Sequence, residues 1–144
     1  MADVLYNSYF VNQMNGNIDL DTDDIAVALV TSDYTPDINT HESFDDITNE
    51  VTGDGYTAGG ETIANTTVTK DNTDNAGVFE GDNVSWTDST ITAAGAILYK
   101  RTGTATTSWL IGYLDFDGDQ SSNVGTFEIQ WDSNGIIRSK QEIV

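Results

Sequence analysis

The sequence contains no cysteine and a single proline, Pro36. The absence of cysteine excludes disulfides, thiolate catalysis and cysteine-ligated zinc or iron–sulfur sites. The longest apolar run, Ile25–Val30, is far too short to span a membrane. The N-terminus also lacks the basic segment, apolar stretch and cleavage site of a signal peptide. The 144 residues are therefore expected to form one soluble domain that buries a core without covalent staples.

Basic residues are also scarce. Five Lys and Arg residues face 24 Asp and Glu residues, which gives a formal net charge of −19. The first basic residue is Lys70, so residues 1–69 contain 13 carboxylates and no Lys or Arg. Such a chain should repel phosphate backbones and anionic membranes, so we expect neither nucleic acid nor membrane as a partner. The negative charge has two explanations. It keeps the protein soluble or adapts it to salt, or, alternatively, it serves to dock on a basic partner or to bind a cation.

Short alternating segments separated by turn residues fill most of the chain. In GTFEIQW (125–131), Phe127, Ile129 and Trp131 are predicted to face the core, and the polar residues between them to face solvent. IAVALV (25–30) is apolar on both faces, which indicates a strand covered on both sides. The pattern of many short strands predicts an all-β fold, a β-sandwich or jelly roll.

Helical spacing of apolar residues is found mainly at the N-terminus. Residues 2–14 are predicted to form a short helix, and one or two helical turns are expected within residues 40–53. We therefore divide the single domain into an N-terminal helical segment, residues 1–16, and a β-sandwich, residues 17–144.

The stretch GDGYTAGGET (53–62) places four glycines around Tyr56. A phosphate-binding loop requires a lysine and a following helix, whereas this stretch has no lysine nearby and precedes a threonine-rich strand. We interpret it as a bend in which the glycines adopt positive φ and Tyr56 anchors the chain.

No catalytic arrangement is recognisable in the sequence. The single histidine, His41, has Ser43 and Asp45 nearby, but nothing positions these three as a triad and no GxSxG motif is present. With so many carboxylates in the chain, any pair of them is uninformative about glycoside hydrolysis. The sequence therefore predicts a protein that is not an enzyme.

Alternating aspartates suggest a metal site. Asp115, Asp117 and Asp119 offer the hard oxygen ligands that calcium prefers, and DLDTDD (19–24) has a similar pattern. Neither stretch completes an EF-hand loop; in the first, Thr126 stands where the bidentate Glu is required. The alternatives are a calcium site at Asp115–Asp119 and ordinary Asp-rich turns, and no other cofactor is expected.

The aromatic residues have two interpretations. Trp86 and Trp131 lie on the apolar sides of alternating strands, which favours core packing over a sugar-stacking platform. Trp109 and Tyr113 belong to WLIGYLDF, a segment that is apolar on both faces. Such a strand is either central in its sheet or part of a subunit interface.

Several motifs occur together in one order: IAVALVTSDYTPD, EVTGDGYTAGG, DNVSWTDSTITAAGAILYK, and LIGYLDFDGDQSSNVGTFEIQWDSNGI. As a set they resemble a family of small tailed-bacteriophage proteins. The resemblance covers roughly residues 17–137, implies a virion component and brings no catalytic residues with it.

Within a virion, a small acidic β-domain without repeats suits a capsid decoration protein on the outside of the shell, bound to the major capsid protein or other virion proteins. The alternatives are a neck, tail or head-fibre component, or a carbohydrate- or receptor-binding module. We expect a homo-oligomer. The N-terminal segment reaches a neighbouring subunit or, alternatively, caps its own sandwich. The predicted contact residues are Leu5, Tyr6, Tyr9, Phe10, Trp109 and Tyr113.

Overall fold

The computed structural model describes residues 2–144, and Met1, the first residue of the predicted N-terminal segment, lies outside the described part. The described residues form one α-helix, two 3-10 turns (Phe44–Asp46 and Ala105–Thr107) and ten β-strands. The helix, α1, spans Asn7–Met14. The strands are β1 (Val4–Leu5), β2 (Ile25–Val30), β3 (Glu61–Thr62), β4 (Thr67–Asp71), β5 (Ala76–Glu80), β6 (Val84–Ser89), β7 (Thr92–Lys100), β8 (Leu110–Ser121), β9 (Gly125–Ile129) and β10 (Ile137–Lys140).

The strands of the described residues form three antiparallel sheets. The largest has five strands in the order β1-β8-β7-β2-β3. A second sheet has the order β10-β5-β4, and the third consists of β6 and β9. Most of these pairings join strands that are not consecutive in the sequence, such as β2 with β7 and β6 with β9, and the hairpin of β4 and β5 is closed by a short turn. The prediction of an all-β fold with one short helix is confirmed.

One hydrophobic core is shared by all three sheets. The large sheet contributes one face of β2, β7 and β8, and the two small sheets pack their apolar faces against it. This two-layer packing is compatible with a β-sandwich: β6 and β9 bury one face against the core, whereas β4, at the edge of its sheet, has no buried residue. The side chains from the small sheets are Phe79 of β5, Val84 and Trp86 of β6, Phe127 and Ile129 of β9, and Ile137 of β10.

Strand β2 is covered on both faces, as its continuous apolar sequence predicted. Ile25, Val27 and Leu29 point into the shared core. The intervening residues of β2 join a second core on the opposite face, where Tyr6 and Tyr34 cover the sheet. A strand with two buried faces must be apolar at every position, which explains the sequence IAVALV.

The N-terminal helix begins later than predicted, because Val4 and Leu5 pair with β8 and do not start the helix. Val4 lies opposite Tyr113, and Leu5 lies opposite Gly112. A Cβ atom at Gly112 would lie 3.0 Å from the Val4 carbonyl oxygen and 3.2 Å from Leu5 Cδ2. The missing side chain of Gly112 therefore lets β1 approach β8 closely, and this long-range pairing overrides the local helical spacing.

The stretch 53–62 forms the predicted bend. All four of its glycines have positive φ. The Tyr56 hydroxyl accepts a hydrogen bond from the backbone N–H of Leu29 at 2.9 Å and donates one to Glu50 Oε1 at 2.7 Å. Tyr56 thus completes the hydrogen bonding of β2 beyond the end of the short strand β3, which confirms its role as an anchor.

Residues 40–53 contain a single 3-10 turn, Phe44–Asp46, within the predicted range of one or two turns. Asp46 Oδ2 accepts the backbone N–H groups of Glu42 and Ser43, at 2.8 and 3.1 Å, and so stabilises the start of the turn. The Phe44 ring stacks on Tyr99 with a centroid distance of 4.3 Å, which fastens this segment over the second core.

Candidate functional site

A groove of about 500 Å³ runs between the second half of β8 and the edge of β9. We call it the β9 groove. All seven residues from Thr126 to Asp132 line it, and Leu114 and Phe116 of β8 form the opposite wall. Both of these β8 side chains are partly buried and pack against the shared core. The groove therefore has an apolar interior and exposes the edge of one strand along its length.

The exposed edge of β9 has unused backbone groups. Strand β9 pairs with β6 on one side, and no other strand of residues 2–144 joins its second side. At the start of β9, the Gly125 carbonyl oxygen accepts a hydrogen bond from Ser89 Oγ of β6 at 3.0 Å, which places the backbone groups of the odd-numbered residues on the β6 side. Because N–H direction alternates along a strand, Thr126 and Glu128 direct their backbone groups into the groove. An edge of this kind is a template for another strand.

Trp131 lies at the end of the β9 groove, where its partly buried side chain packs against the edge of the shared core and is not enclosed by it as predicted. Strand β9 ends at Ile129, so the alternation that places Phe127 and Ile129 inward does not extend to position 131. The Trp131 indole N–H donates to the Asp82 carbonyl oxygen at 2.8 Å, and the side chain is half-buried. This hydrogen bond holds an aromatic face beside the groove, where a ligand can contact it.

The β9 groove is acidic. Asp3, Asp115, Glu128 and Asp132 line it, and none of the described residues around it is Lys or Arg. Neutral groups position two of these carboxylates: Glu128 Oε1 accepts from the Gln130 side-chain amide at 2.6 Å, and Asp132 Oδ1 accepts from a backbone N–H. The ion pairs found among residues 2–144 do not involve Glu128 or Asp132. The groove therefore favours a cationic ligand.

The predicted calcium ligands Asp115, Asp117 and Asp119 all lie on β8. Asp115 Oδ1 accepts the backbone N–H of Asp117 at 2.9 Å, and this hydrogen bond lowers the pKa of the Asp115 carboxyl. Among residues 2–144, no group of three or more Asp, Glu, His or Cys side chains is arranged to hold a metal ion. The segment is a bulge of β8, in which Asp117 and Gly118 have positive φ, and it does not arrange the three carboxylates as a metal site.

The DLDTDD stretch is a turn closed by its own side chains. Asp23 Oδ2 accepts the backbone N–H of Asp19 at 2.7 Å and pairs with Lys100 Nζ at 3.1 Å. Asp19 Oδ1 accepts the backbone N–H of Asp21 at 3.0 Å. These contacts are those of an Asp-rich turn, the second of the two interpretations of its sequence.

His41 belongs to a hydrogen-bonded chain beneath the loop 31–47. The Tyr6 and Tyr34 hydroxyls share a hydrogen bond of 2.7 Å, and a second one joins the Tyr34 hydroxyl to His41 Nδ1 at 2.9 Å. Ser43 Oγ donates to the Asp45 carboxylate. The histidine and the serine are therefore engaged with different partners, and the chain joins the loop to the second core.

The structure separates the six predicted contact residues by exposure. Tyr6, Tyr9 and Tyr113 are buried inside the chain, where they pack against the sheets and present no surface to a partner. Two more, Leu5 and Trp109, are half-buried against the shared core. Strand β8 lies between β1 and β7 and is covered on both faces over Leu110–Tyr113. The segment is therefore apolar on both sides because it is a central strand of its sheet.

Phe10 is the one predicted contact residue with a largely exposed side chain. Phe10, Val11 and Met14 of α1 are 47%, 62% and 87% exposed, and they are neighbours on one side of the helix. We call them the α1 surface. Of these three residues, the sequence predicted only Phe10 as a contact. Val11 and Met14 follow from the same helical spacing once the buried residues of α1 are known to be Tyr9 and Asn12.

Buried tyrosines are expected to make the fold sensitive to alkali. Burial raises the pKa of Tyr9, Tyr34 and Tyr99 to about 12 and also raises the pKa of Tyr6 and Tyr56. An unfolded tyrosine ionises near pH 10, so above that pH the unfolded chain releases protons that the folded chain retains. The stabilisation is complete below about pH 10 and is lost as the pH rises towards about 12.

Thermal melts over a series of alkaline pH values measure this effect. The melting temperature should fall above about pH 10, and tyrosinate absorbance should rise together with the loss of folded structure. Tyrosinate absorbance that develops fully in a protein that stays folded would contradict the assignment of these side chains as buried.

No protein-family model matches this sequence, and no curated protein and no solved structure matches it either. The resemblance of its motifs to phage proteins therefore stays a prediction from the sequence. Among residues 2–144, no helix has the length and apolar composition needed to cross a membrane.

Proposed function

We propose that this protein is a non-enzymatic structural component of a bacteriophage virion, a capsid decoration protein that binds the outer surface of the shell and stabilises it. The order of its motifs, which resembles that of small phage proteins, supports the assignment to a virion. The observation that carries the proposal is the α1 surface, an uncharged apolar contact region on a strongly acidic β-domain.

The α1 surface lies in a segment of the sequence that has no charged residue. Residues 4–18 contain no Asp, Glu, Lys or Arg, although the whole chain has a net charge of −19. Three of the seven exposed large hydrophobic side chains in the described part of the chain lie on this one helix. Exposed apolar side chains grouped in this way are typical of protein–protein contacts.

The partner of the α1 surface is a second copy of this chain. Two acidic copies repel each other, so they can associate only through a region that brings no carboxylates together. The α1 surface meets this condition and supplies apolar area, each large side chain contributing on the order of 1.5–3 kcal/mol when it is fully buried. An oligomer then presents several identical weak binding sites to the shell, and their combined avidity holds it there.

Substitution of Met14 by aspartate tests the self-association. Met14→Asp places a carboxylate in the middle of the proposed contact, and we expect a monomer at concentrations where the parent protein associates, as measured by sedimentation velocity. Val68→Asp is the matched control, because Val68 is also exposed, at 48%, but lies on β4. A parent protein that is monomeric at all concentrations, or a Met14→Asp variant that associates normally, contradicts the proposal.

Cryo-electron microscopy of virions that carry the protein tests the location. The decoration role requires density repeated over the whole shell, at positions related by the capsid symmetry. Density restricted to the neck, tail or a fibre overturns the decoration role and favours one of those components instead. Binding to a glycan array, with no density on the shell, favours a carbohydrate-binding module.

A further inference from the structure

We propose that the β9 groove binds an extended, basic peptide segment of another protein, which adds to the free edge of β9 as a further strand. The inference deepens the proposed function, and rests on it only in identifying the source of the segment as a shell protein. Three properties of the groove support this occupant: its backbone edge, its apolar interior and its charge.

The backbone of β9 provides the pairing. On the side of the groove, the N–H and C=O groups of Thr126 and Glu128 have no neighbouring strand among residues 2–144. An added strand would satisfy these groups with main-chain hydrogen bonds, which is how sheet-edge recognition obtains affinity that is independent of sequence. The groove opens along the whole edge from Thr126 to Asp132, so an extended chain can lie beside it.

The two faces of the added strand would meet different surroundings. Side chains directed inward would contact Leu114 and Phe116, which are partly buried against the shared core. Those directed outward would lie beside Glu128, whose neighbours Phe127 and Ile129 point into the core. Since side chains alternate along a strand, the segment should alternate apolar residues with Lys or Arg.

Charge determines which segments are accepted. Glu128 and Asp132 line the groove without a Lys or Arg partner in the described part of the chain. A cationic side chain opposite Glu128 makes a cross-strand pair, and one near the half-buried Trp131 meets an aromatic face. An acidic segment would meet carboxylates along the same path and would be rejected.

A short peptide provides the probe. The peptide is acetylated and amidated, and alternates Lys with Val over five positions. Isothermal titration calorimetry should detect its binding, whereas the corresponding Glu–Val peptide should not bind. A Lys–Val peptide with N-methyl groups on every backbone amide keeps the charge but has no N–H donor on either edge, and it should bind at least about tenfold more weakly.

Two charge-reversed variants locate the site. Glu128→Lys should weaken binding of the Lys–Val peptide by about tenfold or more, because it replaces an attractive cross-strand pair with a repulsive one. Glu61→Lys, at an exposed position on β3, makes the same change in net charge outside the groove and should have little effect. Thermal melts of both variants confirm that each is folded before binding is compared.

Three results would overturn the inference: no binding of the Lys–Val peptide, equal binding of its N-methylated form, or equal weakening by the two variants. Stronger binding of a neutral oligosaccharide, lost when Trp131 is replaced by alanine, would assign the groove to carbohydrate and also overturn it. If the peptide does not bind but virions show repeated density on the shell, this inference alone is rejected. Peptide binding without shell density would reject the decoration role alone.

Discussion

Replacement of Gly60 by alanine is expected to prevent this protein from folding. The backbone of Gly60 has a φ of +73°, and an added Cβ atom would lie 1.7 Å from the carbonyl oxygen of Val27 and 2.6 Å from its carbonyl carbon. Val27 belongs to β2, which pairs with β3 on one side and β7 on the other. A clash with the backbone of such a strand cannot be relieved by a side-chain rotation, so the sheet itself would have to move.

Gly103→Ala is the matched control, which separates the cost of the steric clash from the cost of a positive φ. Gly103 has a similar φ, +88°, but an added Cβ atom would have no neighbour within 4 Å. Gly103→Ala should therefore lose only the unfolding free energy that a left-handed alanine costs, about 1–2 kcal/mol. Gly60→Ala should lose more than about 4 kcal/mol of unfolding free energy, or fail to accumulate as soluble protein. Equal stability of the two variants in urea denaturation would show that the close approach to β2 is unimportant.

The sequence gives no reason to expect different effects from substitutions at Gly59 and Gly60, but the structure does. A Cβ atom at Gly59 would lie 3.4 Å from the Tyr99 hydroxyl, an ordinary contact distance, and its φ is +92°. A substitution there should therefore resemble Gly103→Ala more than Gly60→Ala. The difference comes from β2, which passes behind Gly60 and is remote in the chain.

Replacement of Trp86 by alanine should remove about 3–5 kcal/mol of unfolding free energy, the cost of deleting a large buried aromatic side chain. Trp86 is 2% exposed, and its ring lies 5.9 Å from that of Tyr56 and 6.0 Å from that of Phe127. It therefore joins the glycine bend to the two-stranded sheet within the shared core. A domain of this size has a total stability of about 5–15 kcal/mol, so the variant should be close to unfolding at physiological temperature.

Trp86→Phe is the matched control. The indole Nε1 of Trp86 is buried and has no hydrogen-bond acceptor among residues 2–144. Phenylalanine removes this unsatisfied donor and keeps an aromatic ring, so the loss should be smaller, on the order of 1–2 kcal/mol. Urea denaturation followed by far-ultraviolet circular dichroism measures both variants. A phenylalanine variant as unstable as the alanine variant would indicate that Nε1 forms an important hydrogen bond.

Local patterns predicted most of the fold. The alternation in GTFEIQW placed Phe127 and Ile129 in the core, and the continuous apolar run of β2 predicted its two covered faces. The local patterns did not predict the structure of segments that pair with a strand far away in the chain. Val4 and Leu5 have helical spacing, but their pairing with β8 depends on the space left by Gly112, more than 100 residues away.

The candidate site was less accessible to sequence reasoning. Trp131 continues an alternating pattern, yet β9 ends two residues before it and the indole turns towards Asp82. The predicted contacts Tyr6, Tyr9 and Tyr113 are aromatic residues that the fold buries, and the large apolar side chains that α1 exposes are Phe10, Val11 and Met14. A tyrosine has the same sequence signature in a core and at an interface, because its ring is apolar and its hydroxyl polar in both.

The sequence by itself determined the all-β class, the two-sided burial of β2 and the positive φ of the glycines around Tyr56. These properties depend on alternation, composition and backbone sterics, which act between residues close in the chain. Only the tertiary structure decided that β9 keeps a free edge and that this edge faces β8 across an acidic groove. Which strands pair, and which edge is left unpaired, depends on how the three sheets pack around their shared core, and that packing joins residues far apart in the chain.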